Sequence, residues 1–179
     1  MGKRAKHSDP VSKRFFSPSY YGGIVLFSVG DIICYPMHGV GKIEGIVTQT
    51  VLGKTEDYYS LKFINSKMTA LIPVSRAADI GLRTLIDENE CRKVISYMGI
   101  PGERGSDNWN QRYRENMDKM RSGNIYDVAD VVKCLRLRET EKGLSAGERK
   151  MLLSARLIIS GELATVLNMD MAEIENCIC

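Results

Sequence analysis

The spacing of apolar positions divides this chain into a strand-patterned part and a helix-patterned part. Across residues 27–74, short runs rich in Ile, Val, Tyr and Phe alternate with glycine- or proline-bearing turns, the texture of a small all-β unit. Val29-Gly30-Asp31 leads into a β-prone run that Pro36 ends, and Met37-His38-Gly39-Val40-Gly41 is a glycine-punctuated turn. Residues 42–50 alternate Ile43, Gly45 and Val47 with Glu44, Ile46 and Thr48, which predicts a strand with the first three on one face. Val51-Leu52-Gly53-Lys54 predicts a further turn, and residues 57–64 and 68–74 two more strands. Four to five short strands so spaced predict a strongly bent β-barrel, more often an interaction module than an active site, whose exposed edge can accept a partner's strand.

The second half has a different period. Residues 87–98 carry Val94, Ile95 and Met98 at helical spacing, and 99–105 hold three glycines and Pro101, a loop no helix tolerates. Ser106 and Asp107 are good N-caps for a helix running to Arg121 and closed by Ser122-Gly123. Within it Trp109, Tyr113, Met117 and Met120 recur at helical spacing, which predicts a core stripe with Trp109 at its end. Residues 125–137 place Val128, Ala129, Val131, Val132 and Leu135 on one broad face before Gly143 breaks the helix. Ser145 with Glu148 three residues later is a capping box. It opens the longest helix, with Met151, Leu152, Ala155, Ile158, Ile159, Leu163 and Val166 as its apolar face, and a short helix over 171–178 follows. The expected class is α+β: a small bent β-barrel over 27–78, a compact all-α domain over 79–179, and a basic arm over 1–26 expected to be disordered.

Composition narrows the chemistry. A chain of 179 residues, 44% hydrophobic and 26% charged, suits a globular protein of one or two small domains. The net charge of +3 is mild, but its distribution is uneven. Residues 133–156 hold seven basic groups against Glu139, Glu141 and Glu148, whereas beyond Leu157 every charged residue is acidic. Positive charge is thus gathered where an anion could be met. Five cysteines without a CxxC pair, and only His7 and His38, suggest no metal centre and reduced thiols in a cytoplasmic protein. No secretory signal and no run of about 18 apolar residues is present. There is no P-loop, GxSxG, HExxH or Cys–His pairing. The expectation is a non-enzymatic protein with no catalytic residue, cofactor, small-molecule substrate or membrane contact, acting as a monomer.

Trp109 is the sole tryptophan. It either staples its helix to a neighbour, as most tryptophans do, or protrudes as a wedge against nucleic acid, with Arg112 one turn along able to reach a phosphate.

Several separate motifs resemble the CarD/CdnL family of bacterial transcription regulators. Phe27-Ser28-Val29-Gly30-Asp31 and Tyr35-Pro36-Met37-His38-Gly39-Val40-Gly41 resemble the opening of its N-terminal module, which also occurs in the transcription-repair coupling factor. Leu71-Ile72-Pro73-Val74 resembles that module's final strand. Asn108-Trp109-x-x-Arg112-Tyr113-x-x-Asn116, Gly143-Leu144-Ser145-Ala146-Gly147-Glu148-Arg149 and Ala155-Arg156-x-Ile158-Ile159-x-Gly161-Glu162 follow in the family's order. The resemblance implies a Tudor-like barrel that binds the RNA polymerase β subunit, here through Gln49, Val51, Leu71, Ile72 and Pro73. It implies a helical domain on promoter DNA at the upstream edge of the melted bubble, with Trp109 in the minor groove. Arg112, Arg114, Arg149 and Lys150 would then meet phosphates, largely without sequence specificity. Gln49, Leu71 and Gln111 stand where family members often carry basic residues. A module that docks on polymerase or another partner without touching DNA is the alternative.

Overall fold

The computed structural model describes residues 19–21 and 24–178. Strands β1 (Ser19–Tyr21) and β2 (Ile24–Leu26) pair antiparallel. The disordered arm expected over 1–26 therefore has regular structure in its last part; residues 1–18, 22 and 23 lie outside the described residues.

The main sheet is antiparallel and runs β6-β5-β4-β3-β7, with β3 at Ile32–Tyr35, β4 at Gly39–Val51, β5 at Lys54–Phe63, β6 at Thr69–Pro73 and β7 at Arg83–Thr84. Because β7 pairs with β3, the sheet continues past residue 78 to Thr84. Leu52 and Gly53, with φ of 51° and 79°, reverse the chain between Val51 and Lys54. Two positive φ values in succession match the right-handed twist of the flanking strands. The simple alternation expected along β4 fails at one point. A bulge between Ile43 and Gly45 shifts the register, so Ile43 points into the core while Gly45 and Val47 turn to the other face. The sheet core is formed by Phe27, Ile33, Ile43, Tyr59, Leu61, Phe63 and Ile72, with the Phe27 amide donating to the Tyr59 hydroxyl at 3.0 Å.

Five helices follow: α1 (Glu88–Met98), α2 (Trp109–Ser122), α3 (Ile125–Glu141), α4 (Ala146–Leu167) and α5 (Met171–Ile178). Asp87 caps α1, its Oδ1 accepting from the Glu90 amide at 2.7 Å. The central α4 touches α1, α3, α5 and β4, so it carries apolar residues around most of its girth. Val94, Val132, Leu135, Ala155, Ile159, Leu163 and Ile174 meet in one cluster that also takes in Cys34 and Val40 from the sheet. The two units thus share a core.

Their junction is polar at one point. Glu162 is fully buried and accepts from Arg83 Nη1 at 2.5 Å, Arg83 Nη2 at 2.8 Å and the Ile86 amide at 3.1 Å. Arg83 Nε donates to the Gly123 carbonyl at 2.7 Å. One guanidinium therefore ties β7 to α4 and to the α2–α3 corner, where Gly123 adopts φ 73°. The neighbouring Cys34 thiol is pushed up to about 12 by burial and then by the Glu162 charge. Cys34, Cys91 and Cys134 are buried free thiols. Among the described residues no single helix is long and apolar enough to cross a membrane.

Removing one partner of such a pair strands the other charge in the interior, which costs about 3–5 kcal/mol. Urea denaturation of Glu162→Ala, Arg83→Ala and the double variant is expected to give a non-additive cycle, with the double variant less destabilised than the sum by about 1–3 kcal/mol. Simple additivity would show that the two side chains do not act as one junction.

Candidate nucleic-acid interface

The site is built where the first turns of α2 and α4 meet. The cap of α2 is Asn108, one residue later than Asp107: its Oδ1 accepts from the Gln111 amide at 3.1 Å. That start makes Trp109 the first helical residue. The buried face of α2 is also rotated from the apolar stripe. Arg112, Asn116 and Met120 are buried, while Tyr113 and Met117 are only partly so.

Arg112 causes the rotation. Its guanidinium is 2% exposed, and both Nε (2.9 Å) and Nη2 (2.7 Å) donate to Glu148 Oε1. Nη1 donates to the Ser106 carbonyl at 2.6 Å. The spacing and the family resemblance put Arg112 on a phosphate; the structure instead seals it under the helix entry, away from the surface where it could meet one. A buried arginine with a matching carboxylate and backbone carbonyls satisfies its donors internally.

The bonds continue outward from that pair. Glu148 Oε2 accepts from the Ser145 amide at 3.0 Å and from its hydroxyl at 2.8 Å, while Ser145 Oγ accepts from the Glu148 amide at 3.3 Å, the expected capping box. The same Ser145 Oγ accepts from Trp109 Nε1 at 3.1 Å. Arg112, Glu148, Ser145 and Trp109 thus form one chain of hydrogen bonds from the core to the surface. Burial alone would raise the Glu148 carboxyl; the Ser145 amide and the Arg112 guanidinium outweigh it and hold the group below the usual glutamate range.

Trp109 is neither fully buried nor free. Its side is stacked on Tyr113, with ring centroids 5.3 Å apart and planes at 26°, and it remains 45% exposed. Arg114, next to Tyr113, is exposed, as are Arg149 and Lys150 on the opening turns of α4. Arg149 lies four residues beyond Ser145 and so shares its helix face. Tyr113 lies where the predicted stripe puts it, one turn from Trp109; Ser145 is the neighbour of the indole that sequence reasoning missed. The capping box announces Ser145 as a cap, but its bond to an indole 36 residues away has no local signal.

The second predicted group lies on the sheet. Strand register pairs Leu71 with Ser60, Pro73 with Tyr58, Gln49 with Glu56 and Val51 with Lys54. Opposed residues share a face, so Gln49, Val51, Leu71 and Pro73 look out from one side of the sheet. Ile72 does not join them: it pairs with Tyr59, points to the other face and is 2% exposed in the core. Only its backbone can meet a partner. Among the described residues β6 is an edge strand with no neighbour beyond it.

Residues 27–86 match the family model described as the CarD-like/TRCF RID domain, and residues 93–179 match that of the CarD C-terminal domain. Over 154 residues the chain is 34% identical to YdeB, a candidate transcription factor of Bacillus subtilis (strain 168), covering 84% of this chain and 99% of that protein.

Because the Glu148 carboxyl is lowered on folding, its contribution to stability is present above the ordinary glutamate value of about 4.3 and is lost as pH falls through the lowered folded value. Glu148→Gln is expected to lower stability near neutral pH by about 3–5 kcal/mol and to flatten the acid limb between neutral pH and pH 3. Urea midpoints across that range, with the single tryptophan as reporter, test this. Identical pH profiles for both proteins would remove Glu148 from the network.

Proposed function

The chain belongs to the CarD-like family, and from that membership we propose that it is a non-enzymatic transcription regulator bridging RNA polymerase and promoter DNA. The outward face carrying Gln49, Val51, Leu71 and Pro73, together with the open edge of β6, would receive the polymerase β subunit, with main-chain bonds supplying much of the affinity. The replacement of basic side chains by Gln49 and Leu71 shifts that contact toward backbone pairing and apolar burial. Trp109, with Arg114, Arg149 and Lys150, would meet the upstream edge of the melted bubble.

The observation that carries this reading is the held but exposed indole. A core tryptophan would be buried, and an unsupported surface one would sample many rotamers. Trp109 has its ring backed by Tyr113 and its Nε1 tied to Ser145 while much of its surface stays open. An aromatic side chain that is ordered before binding loses less entropy on stacking against a base. Unstacking a base step costs a few kcal/mol, which a wedge offsets most readily when a tether has already delivered it. The mild net charge of +3 fits a protein recruited through polymerase, since few phosphate contacts give weak free affinity and a shallow salt dependence. Stabilising the open complex would favour initiation at a promoter that melts reluctantly and delay escape at one that melts readily.

The test is the open-complex lifetime on a linear promoter fragment with the cognate polymerase. Wild type is expected to prolong it, and Trp109→Ala to shorten it again while binding polymerase equally well. Loss of about 1–3 kcal/mol of stacking corresponds to about 5- to 150-fold. Equal lifetimes with both proteins would move the function to a docking module that does not wedge DNA.

A further inference from the structure

A second group of cations converges beside Trp109. Asp107 Oδ1 faces Arg104 Nη2 at 3.1 Å, Arg138 Nη1 at 3.5 Å and Lys142 Nζ at 3.5 Å. Arg104 Nε also meets Glu141 Oε2 at 3.4 Å. Three cations from the α1–α2 loop, α3 and the α3–α4 connection therefore share two carboxylates. Arg104 first, and then Lys142, hold the Asp107 carboxyl below its usual range.

Arg138 is underbonded in this group. Its side chain is 15% exposed, its Nε is buried with no hydrogen-bond partner, and its Nη1 has only the 3.5 Å contact to Asp107. A guanidinium carries five N–H donors. Leaving the buried Nε–H unpaired is unfavourable, and at Nη1 a group with several oxygen acceptors would replace the long contact with short charge-assisted bonds. Asp107 cannot, because its side chain lies mostly in solvent, 70% exposed, and reaches Arg138 only at long range. A solvated carboxylate can swing away at little cost; the largely buried Arg138 cannot.

The position of the cluster indicates its ligand. Lys142 and Ser145 come from the same α3–α4 connection, and the first faces Asp107 while the second bonds Trp109 Nε1. The cations and the indole thus lie on adjoining sides of one connection. We propose that Arg104, Arg138 and Lys142 form a seat for a DNA backbone phosphate beside the indole, occupied in the free protein by the Asp107 carboxylate, which yields it when DNA arrives. This rests on the DNA-contacting reading of Trp109 and adds three phosphate-facing residues and a built-in competitor to it. The competitor weakens free DNA binding and so confines engagement to a chain already held at a promoter.

Binding of the full chain to a fluorescein-labelled duplex with a short unpaired bubble, followed by anisotropy across a salt series, tests the seat. Asp107→Asn is expected to tighten binding by about 3- to 10-fold at low salt, and Lys142→Ala to weaken it and lower the slope of log K against log salt by about 0.9. Both side chains are substantially exposed, and matching urea midpoints would establish that the variants fold. If Trp109→Ala weakens binding while Asp107→Asn and Lys142→Ala behave as wild type, the wedge stands and the seat falls. If all three bind DNA as wild type does, the DNA-contacting reading fails and takes the seat with it. If inorganic phosphate alone shifts the side-chain NMR signals of Arg138 while DNA binding ignores the variants, the cluster serves a free anion and the proposal is overturned.

Discussion

The placement of the two domains depends on the ion pair between Arg83 and Glu162. Apolar packing between β4 and α4 is non-directional and would tolerate sliding. A fully buried carboxylate that must accept from one guanidinium and one backbone amide would not. Any rotation of the sheet on the helices separates Glu162 from donors at 2.5–3.1 Å and exposes an unpaired charge to the interior. Because Arg83 also donates to the Gly123 carbonyl, the constraint reaches the corner between α2 and α3. The pair is best understood as a device that selects one arrangement; breaking it is costly even where its net contribution to stability is small.

The same helix carries a second buried carboxylate at its other end. Glu148 closes the cap of α4 and holds Arg112, and through Ser145 it meets the indole of Trp109. α4 is thus fixed to the sheet near Glu162 and to the exposed aromatic near Ser145. On the proposed reading this matters mechanically. A polymerase-bound sheet can present a wedge to DNA only if little freedom remains between the docking face and the ring, since effective concentration falls as the connecting element loosens. Two charged clamps on one long helix, set beside the shared core, meet that need.

Side chains that look alike in sequence divide by environment. Arg112 and Arg114 are two residues apart in a basic stretch, yet one is sealed against Glu148 and the other is exposed. Leu71 and Ile72 are neighbours in one strand, yet only the first faces outward. In both cases burial of a matched partner decides: Glu148 for Arg112, and Tyr59 with the sheet core for Ile72.

What the sequence by itself determined was everything set by short-range chemistry. The α+β class, the five helices, the Leu52-Gly53 turn, the Ser145–Glu148 capping box and the helix-ending Gly123 follow from periodicity, caps and turn residues that act within a few positions. Even there, competition between adjacent caps moved the α2 cap to Asn108, and the bulge after Ile43 reversed the expected faces of β4. Tertiary structure alone decided what depends on partners distant in the chain. Glu162 and Arg83 are 79 residues apart, Arg112 and Glu148 are 36 apart, and Asp107 collects cations from three separate segments. No local pattern announces such pairs, because a charged residue on a helix reads as solvated until the fold buries it beside its counterion.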